Sequence, residues 1–385
     1  MAEALCRVSA GASRSDMAAI WACWPMGSAA HSAGAVPISR SSVKQVIRRW
    51  ISKIGRLRRA GRRTNVALLV VLLAAALTGA LAFAAGTPVP AKITTVTHGI
   101  FGLALILLIP WKTVIVRRAP VLQATSLMLV AVIAICITSG LVEVFVGYGL
   151  LWRLSPMQVH VGSALLAAPL LASHVVRHRR QRLRRVDLSR RVLLRTGVLA
   201  AGAAATYGIF EGIGRLLGST SAGRIPTGSH RLSAAAVPAT IWLFDQVPNV
   251  ARDHQVDVAG TAFSMSDLAS KSATVRARLD CTSGWYADAE WTAVKLADLI
   301  AADQLASAAS VEVISVTGYR RRFPAEEAGS LWLATAYQGE PLQAGHGAPV
   351  RLLAPHRRGF WWVKWVESVK LSDVPAWGQS PFPLA

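Results

Sequence analysis

The sequence predicts two unlike halves in one chain: a bundle of membrane-spanning helices, then a mixed α+β domain. Three observations carry this. Of the 385 residues, 53% are hydrophobic and only 16% charged, with a mean hydropathy of +0.40, which is more apolar than a water-soluble domain tolerates. Four apolar runs lie before residue 177, each long enough to cross roughly 30 Å of hydrocarbon as a helix. Beyond residue 237 the pattern changes to short β-rich runs broken by Gly and Pro. Four cysteines, Cys6, Cys23, Cys136 and Cys281, are too few for a disulfide scaffold.

The formal charge of +22 is unevenly placed. Residues 1–64 hold 12 Lys/Arg against 2 Asp/Glu, and residues 177–195 hold 9 Arg against Asp187 alone. Residues 224–385 hold 15 Lys/Arg and 15 Asp/Glu and are neutral. A nucleic-acid-binding domain carries its basic excess on the folded unit, so no nucleic-acid partner is expected. The clusters flank apolar runs instead. They read as topology signals, with membrane lipids as the surroundings.

The four spans are expected at about residues 65–85, 94–116, 121–145 and 157–176, with Pro88, Pro90, Pro120 and Pro156 in or beside the connections. Arg56, Arg58, Arg59, Arg62 and Arg63 precede the first span and put the N-terminus in the cytoplasm. Lys112, Arg117 and Arg118 mark the second-to-third turn as cytoplasmic, and the arginines from Arg177 to Arg185 mark the end of the fourth span. A multi-pass cell-membrane protein follows. Residues 1–64 are its basic cytoplasmic tail; the first 40 are Ala/Ser/Gly-rich, lack periodicity and are expected to be disordered.

Ionisable groups inside spans are costly and mark function. His98 opens the second span and His160 the fourth, both near the outer face. Two neutral imidazoles on facing helices are the usual way to hold a b-type haem. Gly99, Gly102, Gly162 and Ser163 beside them would leave room for a flat macrocycle. His174 follows His160 by about four turns on the same face, where a second haem would sit. The corresponding position after His98 is Lys112, so one haem is expected, on the outer side. The alternative is that His98 and His160 hydrogen-bond across helices without a metal.

Ser189-Arg190-Arg191-Val192-Leu193-Leu194 then precedes a weakly apolar, Ala/Gly-rich stretch at 196–210. This order resembles a twin-arginine export signal, retained as a fifth span that delivers everything after Gly218 to the outer side. The alternative is that Arg190 and Arg191 only extend the basic cluster. On this reading residues 65–176 are the membrane bundle and 177–217 the basic loop with its signal-anchor. Residues 218–237, rich in Ser, Gly, Ala and Pro, are a linker to the folded domain at 238–385.

Within that domain, residues 279–285 are expected to end a strand in a loop and 291–300 to form a short amphipathic helix. Runs 311–316, 331–337, 350–354 and 361–366 are expected to be strands. Cys281 is the only cysteine beyond the membrane half. A lone thiol is most often a buried small hydrophobe; beside a Gly-containing loop it can equally be a nucleophile or a ligand to a soft metal. Arg320, Arg321 and Arg322 read either as a positive mouth for an oxyanion or as a solvated charge run.

The residues around Cys281 carry a resemblance. Leu279-Asp280-Cys281-Thr282-Ser283-Gly284-Trp285, followed by Trp291-Thr292-Ala293-Val294-Lys295-Leu296, resembles the molybdenum-ligand segment of the sulfite oxidase family. Thr317-Gly318-Tyr319 with Phe323-Pro324 also fits, as does Leu333-Ala334-Thr335 leading to Gly339-Glu340-Pro341-Leu342. The most specific stretch is Gly345-His346-Gly347-Ala348-Pro349-Val350-Arg351, continued by Lys364-Trp365-Val366. The resemblance covers about residues 238–372 and is similar in particular to the bacterial branch that includes the periplasmic methionine sulfoxide reductase catalytic subunit.

This resemblance implies an α+β molybdopterin domain with Cys281 as catalytic thiolate ligand to molybdenum. It further implies that Thr317, His346, Arg351, Trp362, Val363 and Lys364 hold the pterin and its phosphate. The family often has Gly where Ala293 stands, and Asn where His346 stands in the reductase branch; its early pterin contacts have no clear match near residues 242–245. No C-terminal dimerisation domain is expected. The implied protein is a membrane-bound molybdenum oxidoreductase performing oxygen-atom transfer on a small-molecule substrate. Its electrons would be exchanged with the quinone pool, or another redox partner, through a cytochrome b-like bundle holding the haem. The alternative is a membrane-anchored, non-catalytic cofactor-binding or assembly module; retention of Cys281 with Arg351 and Lys364 argues against it.

Overall fold

The computed structural model describes residues 61–85, 87–117, 124–149, 154–177, 190–218, 223–240, 246–251 and 253–383. The N-terminal tail, Pro120, Arg118, most of the arginines between 177 and 185, Ser189 and residues 242–245 therefore lie outside the described residues.

Five helices come first: α1 (Arg62–Ala84), α2 (Pro88–Arg117), α3 (Ala124–Phe145), α4 (Pro156–Arg177) and α5 (Arg190–Leu216). Among the described residues, four are long and apolar enough to cross a membrane, over Thr64–Ala84, Pro88–Thr113, Ala124–Phe145 and Pro156–Arg177. The second starts earlier than expected. Pro88 and Pro90 stand in its first turn, where a missing N–H removes no helical bond. The fifth helix is longer than the apolar stretch at 196–210, but it is not among the four; Arg195, Glu211 and Arg215 interrupt its apolar surface.

α1 packs on α2 and α3 on α4 as two hairpins, and α5 lies against α2. Small residues allow the close approach: Val71, Ala75, Ala104, Leu105, Leu108 and Ala203 form the bundle core, with Ile137 packed on it. Leu73, Leu77, Val130, Ile135 and Leu165 are exposed on the outside. A helical surface this apolar is consistent with membrane association.

The C-terminal part is built of two sheets. In the first, β5 (Trp285–Lys295) is central, paired antiparallel with β4 (Ala273–Cys281) on one edge and β8 (Trp332–Tyr337) on the other. β10 (Arg351–Leu353) extends it beyond β8; β1 (His230–Arg231) adds in parallel to β5, and β9 (Glu340–Pro341) pairs with β8. The second sheet runs β3-β2-β11-β6-β7, from β2 (Val256–Val258), β3 (Thr261–Phe263), β6 (Ser310–Ser315), β7 (Arg320–Pro324) and β11 (Val366–Ser372). Two short helices, α6 (Met265–Ser270) and α7 (Ala302–Ser307), connect strands. The core between the sheets is dominated by Trp285, Trp291, Leu333, Leu352 and Trp362.

Two expectations are corrected. Residues 291–295 are strand, not helix: Trp285, Ala287, Ala289, Trp291 and Ala293 are buried at period two, and only Leu296–Leu299 turns as a short 3-10 helix. The run 361–366 is not a strand either. A 3-10 turn, Gly359–Trp361, ends there, Trp365 has a positive φ of 52°, and pairing resumes only at Val366.

Candidate functional site

Cys281 is the last residue of β4, and the turn 282–284 returns the chain into β5. The turn closes with Gly284 N–H donating to the Cys281 carbonyl at 3.2 Å, and Gly284 takes a φ of +94° that favours glycine. The sulfur is buried, 8% exposed as a residue, and accepts the Ser283 N–H at 3.5 Å. A thiolate at that position is therefore held by a backbone donor at the mouth of a hairpin.

The strand end is fixed from behind. Asp280 pairs with Arg358 through two contacts of 3.2 Å, both side chains nearly sealed from solvent, and Ser229 Oγ donates to Asp280 Oδ1 at 2.7 Å. Gly359 lies flat against this end; a Cβ there would stand 3.2 Å from Cys281 Cα and 3.1 Å from the Asp280 carbonyl. Bulk is excluded, so the cysteine cannot drift.

Arg351, the first residue of β10, is 2% exposed. Its guanidinium lies over Trp291 and Trp362, 5.2 and 5.7 Å from their ring centres, and Nη1 donates to the His346 carbonyl at 3.0 Å. Burial pushes its pKa down to about 10, against the attraction of the Cys281 sulfur, so the two groups share one electrostatic neighbourhood. Its Nε and the indole N–H groups of Trp285 and Trp362 are buried donors with no partner among the described residues. Buried donors are nearly always satisfied. Arg351 Nε and the indole of Trp362 beneath its guanidinium, with Trp285 paired opposite Cys281, fit a ligand rich in acceptors, as a pterin pyran with its phosphate is.

His346 sits in the 3-10 turn Ala344–His346; its Nε2–H donates to the Val237 carbonyl at 3.1 Å. Burial first, then the charge of Arg351, holds it below the usual histidine range. Gly347, with φ +107°, packs between Lys364 and Arg351, where a Cβ would come within 3.1 Å of both side chains. Val363 carries the Leu352 N–H on its carbonyl at 2.7 Å and so ties the 362–364 run to β10. The fold thus brings His346, Arg351, Trp362, Val363 and Lys364 together, with Cys281 in reach of Arg351. Lys364 does not present a bare ammonium: it donates to the Thr240 and Gly345 carbonyls at 2.8 and 2.6 Å. Thr317 stands apart, exposed in the β6–β7 turn beside Trp365, which receives the Val316 N–H at 2.9 Å.

Of the Arg320–Arg322 run, Arg320 alone is exposed. Arg321 is 1% exposed and is spent on Tyr319 Oη at 2.7 Å and on the carbonyls of Ser380 and Phe382. Arg322 pairs with Glu312 at 2.9 Å. Both are structural staples.

In the bundle, the rings of His98 and His160 meet with centroids 5.7 Å apart. His98 Nδ1 lies 2.9 Å from the Ala75 carbonyl and His160 Nδ1 lies 2.7 Å from the Cys136 carbonyl. A carbonyl only accepts, so Nδ1 carries the proton in both rings and Nε2 keeps its lone pair, the tautomer of a metal-ligating histidine. Glycines seat the rings: a Cβ at Gly79 would lie 2.9 Å from His98, and one at Gly140 2.9 Å from His160. These were missed in the sequence, although residues 75, 79 and 98 of the first hairpin recur as 136, 140 and 160 of the second. Gly99, expected to make room for a macrocycle, instead admits Tyr207 of α5. Lys112 and His174 do not face each other as expected; Lys112 donates to Asn65 at 3.2 Å, and His174 pairs with Ser126 at 3.2 Å, each within its own hairpin.

Residues 244–380 match the family described as the oxidoreductase molybdopterin binding domain. This part of the chain is a molybdopterin-binding oxidoreductase domain. Among solved structures, the domain is similar to the sulfane dehydrogenase SoxCD from Paracoccus pantotrophus, at 22% identity and a TM-score of 0.30, over 33% of this chain and 40% of that one. The chain thus spans well under half of that relative. No curated protein sequence matches.

Proposed function

We propose that the chain is a membrane-bound molybdenum oxidoreductase, with Cys281 as the thiolate that holds the metal and a b-type haem between His98 and His160. The observation that carries this is the setting of Cys281: a buried sulfur on a fixed strand end, beside Arg351 and orphaned donors, inside the matched domain. When bound, the molybdenum–pterin group supplies two-electron oxygen-atom exchange with a small substrate. The chain's residues do the rest. Arg351 and the Trp285 and Trp362 N–H groups bind acceptor atoms of the pterin, His346 keeps Arg351 oriented through its carbonyl, and Val363 and Lys364 fix the edge of the pocket.

Two neutral imidazoles with Nδ1 anchored to backbone support the haem, which links the site to a quinone-class or other redox partner in the membrane. The Arg190-Arg191 start of α5 supports export of the domain, with the N-terminus cytoplasmic and lipids around the bundle. Metal and pterin analysis of the detergent-purified full chain, with a reduced-minus-oxidised spectrum of the same sample, tests the reading. Cys281→Ser changes one atom; it should lose turnover at least about 100-fold while the protein still folds. Turnover like the wild type in that variant would overturn the assignment.

A further inference from the structure

The membrane half reaches the Cys281 turn. Ser155, fully buried just before α4, donates to the Ser283 carbonyl at 3.1 Å. Gly147, beyond α3, lies against His230, and Phe83 at the end of α1 stacks on Phe360 with centroids 5.7 Å apart. Phe360 follows Gly359, which packs on Cys281. Both hairpins therefore close on the strand end that carries the sulfur.

A carboxyl from the membrane half sits in this junction. Glu143, in the last turn of α3, is 2% exposed, both its oxygens are buried, and no side chain donates a hydrogen bond to either. Its Oε1 presses on the turn itself: a Cβ on Gly284 would lie 2.2 Å away, so the glycine is what lets the carboxyl in. The Met157 backbone N–H is the donor that reaches it; a carboxyl buried with so little support at the end of an apolar helix is expensive and persists where it is used. Tyr148, in the loop after α3, lies in electrostatic reach of both Glu143 and Cys281; burial, then these two groups, push its phenol above the ordinary value. The other charges here are accounted for: Arg224 acts on Glu143 from the linker but is paired with Glu211, and Asp280 is paired with Arg358.

We propose that Glu143, supplied by the membrane half, is the proton-exchanging residue of the site that Cys281 marks. The inference rests on the reading of Cys281 as the molybdenum ligand. Oxygen-atom transfer needs such a group: reducing an X=O substrate takes two electrons and two protons and releases X and water, and oxidation returns them. The electrons come from, or go to, a quinone-class partner. The Glu143 carboxyl holds a proton at Oε1, gives it to the departing oxygen, is refilled from solvent along the Tyr148 loop, and passes the second proton by the same route, so that both protons of the released water come from solvent through it.

The test uses the full-length, molybdenum-loaded protein and needs no substrate. An infrared redox-difference spectrum should contain a carboxyl C=O band that shifts in D2O and is lost in Glu143→Gln, with molybdenum content unchanged. Glu143→Asp keeps a carboxyl and should keep a band at a shifted position. A band that survives in Glu143→Gln, or no carboxyl band in loaded wild type, overturns the proposal while leaving Cys281 as ligand. Loss of molybdenum from both variants overturns it too, since Glu143 would then be structural. A wild type that binds no molybdenum defeats the reading of Cys281 itself.

Discussion

At the residue scale, the site is a set of polar groups taken out of water and held by backbone. His346 shows what that costs. Its imidazole is held below the ordinary value of 6.5 by burial and by Arg351, so the folded protein takes up this proton less readily than the unfolded chain. The sign follows: the stability present at neutral pH falls as pH drops through 6.5 towards the lower folded value. The chemical-denaturation midpoint of the detergent-solubilised protein should therefore decline between pH 7.5 and 5. His346→Gln, which can still donate to Val237, should flatten that decline; an equal slope in the variant would show that other groups carry it.

At the element scale, β4 matters because its end carries Cys281. The Asp280–Arg358 pair is buried, and a buried charge left alone is costly. Arg358→Ala should destabilise the domain by about 3–5 kcal/mol, read from the denaturation midpoint. Asp280→Asn added to it should recover part of the loss, because the orphaned charge is then gone. In the bundle, the helix hairpins hold the imidazoles through Ala75 and Cys136 and seat them on Gly79 and Gly140. His98→Ala and His160→Ala should each abolish the haem spectrum, whereas His174→Ala should keep it. Gly140→Val should act like a histidine loss, since its branched side chain displaces the His160 ring. A pyridine haemochrome assay giving no haem in the wild type would reduce the bundle to an anchor.

At the scale of the whole molecule, the bundle and the sheets meet around the Cys281 strand end, through Ser155 on Ser283, Gly147 on His230 and Phe83 on Phe360. Replacing Arg190 and Arg191 by Lys keeps the charge but should strand the domain in the cytoplasm, if the pair is read by the twin-arginine machinery. Topology reporters placed after Gly218 check this. An unchanged outer location would leave the pair as a topology charge only.

What the sequence determined by itself is what composition and local order encode. Four apolar runs become the long helices because hydrocarbon-spanning length is a one-dimensional property. The stretches around Cys281 and Arg351 marked the cofactor domain through their resemblance to a known family, since residue order is what such a resemblance reads. The tertiary structure decided the rest. Trp291 and Val294 fit a helical period as well as a strand's, and only the alternating burial of β5 between β4 and β8 chose the strand. Arg321 looked like surface charge, yet carbonyls from the chain's last residues, about 60 positions away, bury it. Glu143, an acid ending an apolar run, was passed over in the sequence, because its meaning is not local. It comes from the closeness of Gly284, which is 141 positions further along the chain (284 − 143). Contacts of that range are made by packing, and no local pattern carries them.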